Sequence, residues 1–407
     1  MDIDRLQKII ESCHVNFLIG SGASRNFLDT LWNIENLLTS LDQETECNSD
    51  SYKLLETSIK FWYFDKCMRG NLALCDLKHK LTEDEQKNFG LTINGYQNFI
   101  RALNVILLKR KTSLLSKQVN LFTTNMDIFL DKVLDGLGVE FNDGFAGKFE
   151  CVFKTSNYQK TVFKSSAQYD VSSELPLFNL FKLHGSLTWS KKSIDKITYD
   201  SRLSALKSLD AIDFEFESLL SLTEGVDEDL RYKNFEALKA ESLKAENIDE
   251  SKFATFKTEY EKLIMINPTK EKFENTTLRL EYYEQMRMYS NILEKENSVL
   301  FVTGFSFADE HIRQITIRAL NSNPTLLVCV FCFDQNEKEK IDGLFLALKF
   351  NNLYTDFVNY DFQKTTNSIF VGIAKNLDAN FYGQLNEPAA LSDEINENHV
   401  NGSEPKQ

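Results

Sequence analysis

Four short segments carry residue types that could do chemistry together: Gly20-Ser21-Gly22-Ala23-Ser24, Thr124-Asn125-Met126-Asp127, His184-Gly185-Ser186 and Gly304-Phe305-Ser306. Paired glycines let a main chain turn sharply and approach a ligand closely. A helix opening behind them would offer unpaired N–H groups and a positive dipole end to a pyrophosphate. Alone, Gly20-x-Gly22 reads equally as a tight strand-to-helix turn, because Arg25 stands where the G-x-G-x-x-G fingerprint has its third glycine. Thr124, Asn125 and Asp127 alone read as a polar strand end that caps a helix. A lone histidine is more often structural than catalytic, but one followed by glycine at a strand end suits a general base. His14 and His311 read as structural, one opening a strand and one lying on a helix.

The elements that must position these segments follow from hydrophobic patterning. Val15–Ile19, Val119–Thr123, Leu177–Leu183, Val299–Thr303 and Leu326–Phe333 are nearly continuous apolar runs, as in parallel strands buried on both faces. Shorter strand-like runs are Phe149–Phe153, Thr161–Phe163 and Ile264–Asn267. Ligands of open parallel sheets bind beyond the carboxyl ends of the strands, so the four segments are expected to converge on one crevice.

Helical spacing begins near Asn26, with Phe27, Leu31, Ile34, Leu37 and Leu38. It recurs in Tyr96, Phe99, Leu103, Ile106 and Leu107 behind a cap at Asn94, and in Phe129, Leu130, Val133, Leu134 and Leu137. Further helices are marked by Phe253, Phe256, Tyr260 and Leu263, and by Leu278, Tyr282, Met286, Tyr289 and Leu293. Stretches 40–117 and 200–262 are too long for ordinary crossovers and read as helical insertions. The expected fold is α/β, a Rossmann-like parallel sheet, in one domain over residues 1–385. Residues 386–407 hold five acidic side chains against one lysine and are expected to be disordered.

Composition narrows the function classes. The 407 residues are 42% hydrophobic and include 32 phenylalanines, enough for a large core. No apolar run reaches the roughly 18 residues of a membrane span, and the acidic start Met1-Asp2-Ile3-Asp4 is unlike a secretory signal. Seven scattered cysteines point to a reducing cytoplasm. A net charge of −14 argues against strong nucleic-acid binding by this chain alone.

Taken in order, G-S-G-A-S, T-T-N-x-D, K-L-H-G-S and G-F-S-F-A-D-E-H-I resemble the SIR2-like (sirtuin) superfamily, and more closely its bacterial branch found in antiviral defence. The resemblance covers roughly residues 10 to 190 and 264 to 335. It implies that Gly20, Ser21, Gly22, Ala23 and Ser24 cradle the pyrophosphate of NAD+. It also implies that Thr124, Asn125 and Asp127 lie beside the nicotinamide ribose, with His184 as the catalytic histidine. Gly304 and Ser306 would hold the adenosine side. Trp32 falls near a tryptophan common in the bacterial branch. Sirtuin deacylases carry a zinc ribbon of two C-x-x-C pairs soon after the His-Gly, whereas here no cysteine occurs between Cys151 and Cys329. No zinc is therefore expected. Cys329-x-x-Cys332 lies inside an apolar strand, where positions three apart face opposite sides. The loop Asn26–Trp32 lacks the Gly and Pro that family members often have there.

The family chemistry implies NAD+ as substrate, cleaved between nicotinamide and ribose. With the zinc module missing, water is the expected acceptor, giving ADP-ribose and nicotinamide. Asn125 would orient water or the departing amide, His184 would contact ribose hydroxyls or act as base, and Asp127 would bond near the ribose. The defence setting implies NAD+ depletion in an infected cell, controlled by homo-oligomerisation or by a separate HerA-type ATPase, since this chain has no P-loop. Two other readings use the same crevice: a protein deacylase or ADP-ribosyltransferase, and a non-catalytic scaffold that binds NAD+ or ADP-ribose.

Overall fold

Seven strands form one parallel sheet: β1 (His14–Ile19), β2 (Gln118–Thr123), β3 (Phe141–Asn142), β4 (Leu177–Lys182), β5 (Ser298–Thr303), β6 (Leu327–Cys332) and β7 (Leu353–Val358). Their order is β7-β6-β5-β1-β2-β4-β3. The computed structural model describes residues 1–30, 34–44, 49–75, 79, 81–111, 114–193, 196–214, 218–225, 231–245, 250–267, 280–345 and 350–381. Leu31, Trp32, Leu278 and the acidic stretch 386–407 lie outside the described residues.

The continuous apolar runs serve two cores, because alternate residues of a strand face opposite sides. Val15, Phe17 and Ile19 of β1 join one core with Val119, Leu121, Val299 and Phe301. Leu18, Phe122, Phe181, Leu300 and Val302 join the other. The first core is covered by helices Ile3–Ser12, Glu83–Lys109, Phe129–Gly136 and Val371–Leu377. The second is covered by helices Leu280–Leu293, Glu310–Ser322 and Gln335–Phe345. This is an α/β, Rossmann-like architecture. Cys329 belongs to one core and Cys332 to the other, and burial pushes both thiols up to about 12. They pack as small apolar groups.

One row of polar side chains crosses the second face. Asn16, Asn120, Asn179 and Asn142 stand in register on β1, β2, β4 and β3. Asn120 Nδ2 donates to Asn16 Oδ1 at 2.8 Å, and Asn179 Nδ2 donates to Asn120 Oδ1 at 3.0 Å. Asn16 Nδ2 donates to the Val299 carbonyl at 3.1 Å, extending the row to β5. Replacing Asn120 with Leu leaves the Asn16 carboxamide oxygen without its donor. A loss of about 2 kcal/mol in unfolding free energy is expected, measured by denaturant titration.

Several expected elements differ. No α-helix starts near Asn26. Ser21–Ala23 form one 3-10 turn, residues 24–30 continue as turns and loop, and the next described helix is Ile34–Asp42. Asn94 is no cap: its helix starts at Glu83 with a capping box from Thr82 and Glu85. Phe149 is fully exposed, and only Val152–Phe153 of that run pairs, in a four-stranded antiparallel sheet with Phe145–Ala146, Lys196–Tyr199 and Trp189–Ser193. Phe163–Ser165 replaces the strand expected at Thr161–Phe163, and it is exposed. Ile264–Asn267 makes a single bridge, between Met265 and Gly185. Within 200–262 the described helices are Ser204–Asp210, Phe235–Ser242 and Glu250–Tyr260. No described helix is long and apolar enough to cross a membrane.

Candidate active site

Strand order reverses beside β1, because β2 is added on one side and β5 later on the other. Such a reversal opens a crevice at the carboxyl ends. The crevice here has a volume of about 570 Å³, in the range of small-molecule sites. All four sequence segments reach it. Ser21, Gly22 and Ser24 line it after β1, Thr124 to Asp127 after β2, His184 after β4, and Gly304 to Ser306 after β5. Gly20 and Ala23 do not line it. Ala23 is buried, and the Gly20 carbonyl accepts from Asn125 Nδ2 at 3.0 Å.

The glycines answer to each other. A Cβ on Gly20 would lie 2.3 Å from the Gly304 carbonyl oxygen, and one on Gly22 would lie 2.7 Å from Gly304 Cα. Gly304 itself has φ +62° and passes against the backbone of Gly22 and Ala23. The N–H groups of Gly20, Gly22, Ala23 and Ser24 donate to the carbonyls of Thr303, Gly304, Gly20 and Ser21. These glycines therefore allow two strand-end loops to touch. With no helix opening behind it, the loop lacks the dipole expected from the fingerprint.

Ser24 is also engaged. Its hydroxyl donates to Asp127 Oδ2 at 2.8 Å and lies 2.9 Å from the Tyr96 hydroxyl. A serine has one proton to give, so Tyr96 is the donor in the second contact. Tyr96 comes from the helix Glu83–Lys109 and stacks on Phe129, with centroids 5.4 Å apart. Burial pushes the Asp127 carboxyl above its usual range, and Lys182 and Ser24 pull it back. Lys182, itself buried, donates to the Asp127 carbonyl and pairs with Asp131 at 2.8 Å. Asn125 is buried, and its Oδ1 has no hydrogen-bond partner.

His184 sits on a turn that only glycine can follow. Gly185 has φ +83°, and a Cβ there would lie 2.3 Å from the Ile264 carbonyl oxygen. The Ile264–Ile266 strap pins the turn: Ile266 N–H donates to the His184 carbonyl at 2.9 Å. His184 Nε2 lies 3.1 Å from Asp309 Oδ2, a close approach that is off-line for a hydrogen bond. Asp309 also caps the helix Glu310–Ser322, its Oδ1 accepting from Ile312 N–H at 3.1 Å. In the sequence Asp309 appears only within the G-F-S-F-A-D-E-H-I segment. An aspartate at a strand-to-helix turn after β5, facing a histidine after β4, is legible only once strand order is known.

Charge is unevenly supplied. Asp29, Glu35, Asp127, Asp309, Glu337 and Asp361 line the crevice, against the cations Arg25 and Lys340. Among the described residues no group of three His, Cys, Asp or Glu side chains could hold a metal ion. No protein-family model matches the chain, and no curated protein matches it.

Proposed function

We propose that this chain is an NAD+ hydrolase with a sirtuin-type sheet, releasing nicotinamide and ADP-ribose. The observation that supports this most is the meeting of Asn125, Asp127 and the His184–Asp309 pair in one crevice at the sheet's switch point. The bond between ribose C1′ and the pyridinium nitrogen would break with its electron pair, which leaves on neutral nicotinamide. Positive charge then builds on the ribose, as in glycoside hydrolysis. Carboxylates of the crevice oppose that charge. A water oxygen bonds C1′ and gives its proton to His184. The Asp309 carboxylate beside Nε2 would favour the tautomer with its N–H there, which leaves Nδ1 to take the proton. The unpartnered Asn125 Oδ1 is placed to accept from that water or from the departing amide.

The family resemblance adds a setting. In antiviral defence the activity would deplete NAD+, under control by self-association or a HerA-type ATPase. The direct test is nicotinamide release from NAD+ by the purified chain, with and without a HerA-type ATPase. Free ADP-ribose as co-product supports the hydrolase. ADP-ribose appearing on protein, or turnover only with an acyl-lysine peptide, assigns a transferase instead.

Tyr96→Phe tests the support behind Asp127. It removes the donor to Ser24 and keeps the ring stack on Phe129. A kcat lower by about three- to tenfold is expected, with little change in KM or melting temperature. An unchanged kcat would mean that Tyr96 only packs.

A further inference from the structure

An NAD+ site must meet the two negative charges of a pyrophosphate, and several of the donors that the glycine loop would supply are engaged elsewhere. The N–H groups of Gly22, Ala23 and Ser24 bond backbone carbonyls. The Ser24 hydroxyl bonds Asp127. The loop opens no α-helix, so no dipole faces the crevice from behind it. Six carboxylates already line the space. A pyrophosphate would be repelled unless side-chain cations are turned to it.

Two such cations line the crevice among the described residues, Arg25 and Lys340. Arg25 follows the glycine loop directly, and its guanidinium rests 4.1 Å over the ring of Phe333, at the end of β6. Lys340 projects from the helix Gln335–Phe345, which follows the same strand. Both side chains are exposed, and both act on the Glu337 carboxylate. Exposed cation–π contacts are weaker than the paired, charge-assisted bonds that a guanidinium makes to phosphate.

We propose that Arg25, resting on Phe333, and Lys340 form the cationic clasp for the ligand's pyrophosphate, supplying the charge that the engaged N–H groups of Gly22, Ala23 and Ser24 and an absent helix dipole do not. This rests on the NAD+ reading of the crevice. Arg25 thus fills the position of the fingerprint's third glycine with a charge. Arg25 leaves Phe333 when the phosphate enters, and Lys340 reaches it from the helix that follows β6, both cations acting on Glu337 until then.

Calorimetric titration with ADP-ribose tests this without turnover, alongside adenosine as a probe that lacks phosphate. Arg25→Gln and Lys340→Gln should each weaken ADP-ribose binding by about tenfold and flatten its salt dependence, with adenosine binding unchanged. Arg25→Lys, which keeps charge without the planar fork, should fall between. Melting curves check that each variant folds. Wild-type affinity for ADP-ribose in both glutamine variants overturns the clasp and leaves the NAD+ reading standing. No ADP-ribose binding by the wild-type chain overturns both.

Discussion

On the proposed function, His184→Ala should lower kcat for nicotinamide release by about 10²–10⁴-fold, the usual contribution of a positioned general base. The melting temperature stays close to wild type. The reasons lie in the local architecture. The turn that carries His184 is held by main-chain bonds to Ile264 and Ile266 and by the close fit of Gly185, none of which uses the imidazole. Asp309 keeps its cap on Ile312 when the imidazole is gone. Asn125→Ala lowers kcat comparably but also removes the bond to the Gly20 carbonyl, so a drop in stability of about 1 kcal/mol accompanies it. Nicotinamide release at saturating NAD+, followed beside thermal melts, separates these effects. Turnover at the wild-type rate in both variants would remove His184 and Asn125 from the mechanism.

Gly304→Ala has the largest expected effect on the fold around the site. Its φ of +62° is costly for any residue with a Cβ, and that Cβ would lie 2.5 Å from the Ala23 nitrogen. The neighbour is backbone and cannot swing aside. The strain and the overpacking together destabilise by roughly 3 kcal/mol. Gly20→Ala strikes the same contact from the other side, at 2.3 Å from the Gly304 oxygen. Each variant should melt lower and lose ADP-ribose binding together with activity. Gly343, whose added Cβ meets nothing within 4 Å, is the matched control, and Gly343→Ala is expected to be neutral or slightly stabilising.

The strands that position the site were legible because both faces of the sheet are covered. β1, β2, β4, β5 and β6 appear in the sequence as nearly unbroken apolar runs, with ends shifted by a residue or so. β7 escaped because it lies at the sheet edge and mixes buried with half-exposed positions. The helix expected from Asn26 rested on the spacing of Phe27, Leu31, Ile34, Leu37 and Leu38; Phe27 instead packs within turns, while Ile34, Leu37 and Leu38 lie on the helix Ile34–Asp42. Parallel-sheet geometry brings strand ends together, so the convergence of Ser24, Asn125, His184 and Gly304 could be foreseen. Their partners could not. Tyr96 reaches Ser24 from a long helix, and Asp309 meets His184 only because β5 returns to the far side of β1. Arg25 registered as a missing glycine, since its contact with Phe333 joins strands far apart in sequence.

That return of β5 bears on synthesis. His14 pairs with Ser298, so the centre of the sheet stays open on one edge until most of the chain has been made. At ordinary translation rates, Asp309 follows His184 by roughly 6–25 s. Through that interval the nascent chain has its histidine but neither the carboxylate that faces it nor the loop that closes over Gly20 and Gly22. The order of strands thus acts as a timer: a truncated product that ends before β5 carries half a crevice, and on the proposed function it would leave NAD+ intact.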